Sequence, residues 1–235
     1  MNTCSLNATG VLILDKVTPV IRALFGKLDL MEDTPRPGHA WFGRLHEGCG
    51  APWMDIHPGL VELAEQLGLP FSADTHPSTR ALLEMLAQHF GAADDPDMRL
   101  YLERHDFENT ADLHVLFAIA IRFDDGHGLQ AISEEGAWSR QERSVPAFGG
   151  EAVYISREVV LTEASASTID LGDSLRLALA RDDLHQAHQL LHRRIERLLL
   201  SIRNRTARQA LVQKLRCALT PLGEVQTEAS EIGRS

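Results

Sequence analysis

Two periods of apolar residues divide the chain. Residues 10–15, Gly-Val-Leu-Ile-Leu-Asp, form an unbroken apolar run that predicts a strand buried on both faces. Thr18 and Pro19 then supply an N-cap and a proline at the first helical position, and Gly26 sits where a C-terminal cap belongs. Between them Val20, Ile21, Leu24 and Phe25 make one apolar face, so the order strand, helix, second strand near 28–31 is expected. Residues 33–38, with two prolines, predict a loop, and 40–45 a further strand.

From Asp55 onward the period becomes helical. Leu60, Leu63, Ala64 and Leu67 form a stripe stopped by Gly68 and Pro70. Pro77 opens a helix with Leu82, Leu83, Leu86 and Phe90 inward, Asp95-Pro96 starts another through 104, and a cap at 109–112 leads into one ending near Asp124. Residues 129–138 and 152–161 then read as two strands of an antiparallel hairpin. In the second, Val153, Ile155, Val159 and Leu161 share a face and only Arg157 breaks the inward alternation. After a small-residue linker at 163–168, helices are predicted over 174–180, 183–203 and 205–219. In the middle one, Leu184, Ala187, Leu191, Ile195 and Leu198 form the expected core stripe.

These elements predict an α+β protein: a small mixed or antiparallel sheet with packed helices and a C-terminal helical hairpin or bundle. The expected divisions are an α+β domain at 1–163, a helical segment at 164–221 and a disordered tail at 222–235.

Composition adds one feature with shape. Of 235 residues, 44% are hydrophobic and 24% charged, as in ordinary globular proteins. The longest apolar run, 115–121, is far short of a bilayer span, which takes about 20 residues. The first residues show no secretory pattern, and Cys4, Cys49 and Cys217 have no paired spacing; a reduced, cytoplasmic setting is expected. The net charge of −10 is unevenly spread. Residues 181–216 hold nine bases against three acids, a net +6, which leaves the remainder at −16. That segment either folds back on the acidic body, meets phosphates, or leaves the acidic body to attract a basic protein.

Candidate chemistry is sparse. Residues 172–175 spell Gly-Asp-Ser-Leu, an esterase signature, and 182–185 spell Asp-Asp-Leu-His. Their closeness in a helical region, and the lack of any Asn-Asp pair for an oxyanion hole, favour Asp173 and Ser174 as helix-start residues. His185, His188 and His192 lie along one side of a helix; two of them plus a ligand from elsewhere are the metal candidate, against packing at a helix boundary. Residues 122–129, Arg-Phe-Asp-Asp-Gly-His-Gly-Leu, place Asp124, Asp125 and His127 between glycines at a helix-to-strand junction. That arrangement suits cation binding or acid–base chemistry, against a C-terminal cap with Gly126 left-handed. Two acids at a helix C-terminus are electrostatically unfavourable, which leaves the capping account incomplete. Glu134 and Glu135 point to opposite faces of their strand, and no Walker or Rossmann glycine pattern is present.

In residues 9–20 (Thr-Gly-Val-Leu-Ile-Leu-Asp-Lys-Val-Thr-Pro-Val), 122–129 and 148–150 (Phe-Gly-Gly), the chain resembles uncharacterised proteins encoded on bacterial integrative and conjugative elements. The resemblance extends to about residue 219 and implies an accessory protein of a mobile element, in maintenance, transfer or evasion of host defence. It brings no catalytic residue with it. The leading expectation is a non-enzymatic, cytoplasmic interaction protein without a cofactor, acting through protein partners or self-association and not through a membrane. The first alternative is nucleic-acid binding through Arg193, Arg194, Arg197, Arg203, Arg205 and Arg208. The second is a metal-dependent enzyme at Asp124, Asp125 and His127.

Overall fold

The computed structural model describes residues 4–31, 36–46, 51–70, 77–140 and 147–231. It shows the α+β class, with an antiparallel sheet. The chain runs β1 (Cys4–Ile13), α1 (Pro19–Phe25), a 3-10 turn (Gly26–Leu28), β2 (His39–His46), α2 (Trp53–Gln66), α3 (Thr79–His89), α4 (Pro96–Arg104) and α5 (Leu113–Ala120). Then come β3 (Ala131–Arg140), β4 (Ala147–Ser156), β5 (Val160–Ala164), α6 (Ser165–Ala180), α7 (Leu184–Leu200) and α8 (Arg205–Glu231). Two compact units result: one of Met1–Ser156 with Thr162–Ala166, the other of Arg157–Leu161 with Ser167–Ser235.

The strand order is β2-β1-β3-β4-β5, so β3 is the middle strand, and between β2 and β3 lies β1. Its apolar run was expected to be buried on both faces. Instead it alternates: Ala8 and Leu12 are buried, while Val11 and Ile13 are only half-buried. The other strands obey the same period, with Ala40, Phe42, Ile132 and Ile155 inside and Trp41 and Tyr154 exposed on the opposite face. Glu134 lies in the inner row, opposite Gly10 and Val153, and is buried; Glu135 faces outward. The core is completed by Ile21, Leu24 and Phe25 of α1, Ile56 and Leu60 of α2, Leu82, Leu83 and Leu86 of α3 and Phe117 of α5. Each such side chain contributes about 1.5–3 kcal/mol on burial.

Three expectations are corrected. Residues 28–31 are not a strand: the 3-10 turn ends at Asp29 in the left-handed region (φ 50°), and only Met31 makes a bridge, to Trp41. The segment 152–161 is two strands, not one, because Arg157 and Glu158 form the β4–β5 turn; the break in alternation at Arg157 was that turn. Helix α6 begins at Ser165, directly after β5, so Asp173 and Ser174 lie in its interior rather than at its start. The residues at 141–146, which were to join the hairpin, lie outside those described; Gly149 and Gly150 belong to β4.

Two close approaches need the absence of a side chain. Gly10 pairs with Phe42 across the sheet, and a Cβ on Gly10 would fall within the Phe42 ring. Gly59 lets α2 rest on the backbone of Ala23 in α1, where an added Cβ would lie 2.9 Å from the Ala23 carbonyl oxygen. By contrast Gly43, beside Phe42, has open space. Gly10→Val is expected to lower the unfolding free energy by about 1–3 kcal/mol, and Gly43→Ala to leave it within about 0.5 kcal/mol. Urea denaturation followed by circular dichroism measures both, and equal effects would sink the packing account.

Candidate functional site

Residues 122–129 fold as the junction between α5 and β3, and their polar groups reach several different elements. Arg122 donates through Nη1 to the Ala118 carbonyl at 2.9 Å, its Nη2 meets Asp97 at 2.8 Å, and its Nε lies 2.9 Å from Asp95 Oδ1. Asp95 is the N-cap of α4 and accepts from the backbone N–H groups of Asp97 and Met98. One guanidinium thus stands at the C-terminus of α5, where the dipole favours a cation, and pairs with Asp95, the carboxylate that the N-terminus of α4 favours. At Asp95, burial works to raise the carboxyl pKa, but the Met98 N–H and the Arg122 guanidinium outweigh it and hold the group below its ordinary value.

Asp125 reaches across more than a hundred residues of sequence to α1. Its Oδ1 accepts from the Thr18 hydroxyl at 2.6 Å, and its Oδ2 accepts from the Val20 N–H at 3.1 Å. Thr18 has the extended backbone of an N-cap but makes no capping bond of its own; Asp125 supplies the acceptor in its place. This explains the acidic pair that looked unfavourable beside α5. One of its carboxylates serves the positive end of another helix.

His127 is 1% exposed. The Leu129 N–H donates to Nδ1 at 2.8 Å, and Nε2 lies 3.0 Å from the Ala120 carbonyl oxygen. A ring nitrogen that accepts an N–H carries no proton, so the proton sits on Nε2 and both nitrogens of the neutral ring are engaged. Its backbone carbonyl receives the Asp15 N–H at 2.8 Å, and Gln130 donates to Ile13 at 2.8 Å, so the segment prolongs the β1–β3 ladder. Gly128 has φ +59°, and an added Cβ would collide with the Asp15 carboxylate. Asp124 is exposed, accepts from the Gly126 N–H at 2.9 Å, and comes no nearer to His127 Nε2 than 4.0 Å. The three candidate residues therefore have separate tasks. No lone pair of His127 is presented to a substrate, and both oxygens of Asp125 are committed to α1.

The metal candidates line the exposed side of α7. His185 Nε2 accepts from the Gln189 amide at 2.7 Å, the rings of His188 and His192 stack with centroids 5.9 Å apart, and His192 Nε2 lies 3.6 Å from Glu196. Among the described residues no group of three or more His, Cys, Asp or Glu side chains could hold a metal ion, and no helix is long and apolar enough to cross a membrane. Two recesses, one lined by Pro19, Arg22, Gly59 and Glu62 and one by Glu84, Arg99, Leu102 and Glu103, contain none of the candidates. Asp173 pairs with Arg176 at 2.8 Å on α6, which is a surface ion pair and not a catalytic turn.

In the second unit, Arg193, Arg197, Arg203 and Arg205 are exposed, and Arg194 and Arg208 are half-buried. The unexpected feature lies between them. The α7 stripe read as core is not covered: Leu184 is 65% exposed, Leu191 49%, Leu198 44% and Ile195 39%, and only Ala187 is buried. Periodicity reports that a helix has an apolar face; it does not report what covers that face. Helix α6 buries only Ala178, and no described residue of α8 is buried. The α7–α8 connection is tied to the β4–β5 turn, with Val160 donating to Ser201 at 2.9 Å and Arg203 to Glu158 at 2.8 Å. No family model, no curated protein and no solved structure matches this chain.

Two predictions follow the junction geometry. Asp125→Ala is expected to destabilise the protein by about 1–2 kcal/mol, as for a lost helix cap, and Asp124→Ala by less than about 0.5 kcal/mol; equal losses in urea titrations would contradict the separate roles. Because the folded Asp95 carboxyl sits below its unfolded value, its contribution is complete above the unfolded value, about pH 4, and is lost as pH falls through the lower folded one. Asp95→Asn should flatten the fall in urea midpoint across that acid window, and an unchanged slope would show that Asp95 carries none of it.

Proposed function

We propose that this chain is a non-enzymatic interaction protein, an accessory factor of a mobile element, that acts through association of its C-terminal helices with protein. The observation that carries the reading is the row of leucine and isoleucine side chains on α7 that are two-fifths to two-thirds exposed. Scattered apolar residues at a surface are ordinary, but a row at helical spacing on a helix with almost no buried residue of its own is a surface made to be covered. The junction at 122–129 supports the same direction, since its polar atoms serve the fold. The mobile-element context rests on the resemblance of residues 9–20, 122–129 and 148–150.

A second reading, nucleic-acid binding, is favoured by one observation: Arg193 and Arg197 are exposed on the side of α7 opposite its apolar row. The two readings separate in one experiment. The tagged chain is used as bait under nuclease treatment, as wild type, as Leu191→Glu with Leu198→Glu, and as Arg193→Ala with Arg197→Ala. Retained proteins should be lost with the leucine pair and kept with the arginine pair. The reverse, together with fluorescence anisotropy showing salt-dependent binding to labelled DNA, would replace the first reading with the second.

A further inference from the structure

We infer that His188 and His192 form a two-imidazole site on α7 for a divalent transition-metal ion of the Cu²⁺, Ni²⁺ or Zn²⁺ kind. Such cations suit imidazole nitrogen, and two histidines one helical turn apart, at i and i+4, present their rings on one face of a helix. Both side chains are exposed, and their rings are nearly parallel, with an interplanar angle of 14° and centroids 5.9 Å apart. With metal–nitrogen bonds of about 2.0–2.1 Å, two imidazoles on one tetrahedral ion have ring centres about 5 Å apart. The two rings thus stand within about 1 Å of a chelating separation, and exposed side chains change rotamer readily enough to close it. His185, the third histidine of the helix, is already engaged, its Nε2 accepting from the Gln189 amide at 2.7 Å.

The surroundings carry the right charge. On a wheel with Leu184 at zero, His188 and His192 lie at about 40° and 80°, and Glu196 at about 120°. Arg193, Arg197 and Arg194 lie at about 180°, 220° and 280°, on the other side of the helix. The arginines of α7 therefore point away from the pair, while the one acid within the helix stands beside it, with Glu196 Oε1 3.6 Å from His192 Nε2. A carboxylate next to a ligating imidazole orients the ring and raises its basicity. Among the described residues no third His, Cys, Asp or Glu completes a group around the pair, so water takes the remaining positions and the ion stays exchangeable. Mg²⁺, which takes oxygen ligands, is not suited to two nitrogens. Bound here, the ion ties together two turns of a helix whose one buried residue is Ala187.

Titration of the untagged full chain, freed of metal with EDTA, with Cu²⁺ under electron paramagnetic resonance tests this. The first equivalent is expected to show coordination by two imidazole nitrogens and to persist in excess Mg²⁺. His188→Ala and His192→Ala, each alone, should weaken that binding by at least about tenfold, whereas His185→Ala should leave it within about twofold. Circular dichroism confirms that each variant keeps its helix content. A wild type without saturable Cu²⁺ binding would overturn the inference. Equal affinity in the wild type and all three variants would overturn it too, because the ion would then sit adventitiously on others of the chain's 11 histidines. A loss with His185→Ala but not with His192→Ala would place the ion on a different pair and is likewise fatal to the assignment.

Discussion

The first unit depends on one short turn that must satisfy four elements at once. A helix leaves its first N–H groups and last carbonyls without internal partners, and a buried helix end without acceptors is costly. In this unit the N-terminus of α1 finds its acceptor in Asp125, and the N-terminus of α4 is bound through Asp95 to Arg122. The final turn of α5 gives its Ala118 and Ala120 carbonyls to Arg122 and His127. Eight consecutive residues thereby fix the relation of α1, α4, α5 and the end of β1. The left-handed glycines Gly126 and Gly128 give the backbone the reversals this requires, and the Asp15 carboxylate occupies the space beside Gly128 that a side chain would take.

This arrangement accounts for the unusual composition of the turn without catalysis. Aspartates, histidine and glycine in a row resemble an acid–base site because the same chemical properties serve both purposes. A carboxylate that can stabilise a cation also caps a helix, and an imidazole that can move a proton also bridges a donor and an acceptor in a dry interior. What distinguishes the two uses is where the lone pairs point. At His127 and Asp125 they point into the fold.

The second unit is the opposite case. Its helices have amphipathic sequences and capped ends, Asp183 for example accepting from the Gln186 N–H at 2.9 Å, yet almost nothing in them is buried. Short helices in water draw most of their stability from packing an apolar face and little from intrinsic propensity. Helix α7 therefore carries an apolar row that its own unit leaves largely exposed, whereas the helices of the first unit bury theirs.

Much of this was legible in the residues. Thr18-Pro19, Pro77 and Asp95-Pro96 mark helix starts that the structure keeps to within two residues, because capping chemistry is local; the cap after Pro77 is Ser78, and a neighbouring N–H is all that it and Asp95 have to find. The inward faces of α1 and α3 follow from spacing alone. The single long strand over 152–161 failed because two short strands and a tight turn share its alternation except at Arg157. The partner of Asp125 could not be read, since Thr18 lies 107 positions away and no local pattern encodes that distance. The sequence by itself determined most of the helices and strands and the apolar face of most of them, because these follow from periods of 3.6 and 2 within a few residues; it missed the turn at 28–31, the start of α6 and the alternation of β1. Only the tertiary structure decided that the acidic pair splits between solvent and the end of α1, that His127 is a buried bridge, and that the α7 row lies open. Each of these depends on what the chain brings near from far away, and distance through space is not written in the local order of residues.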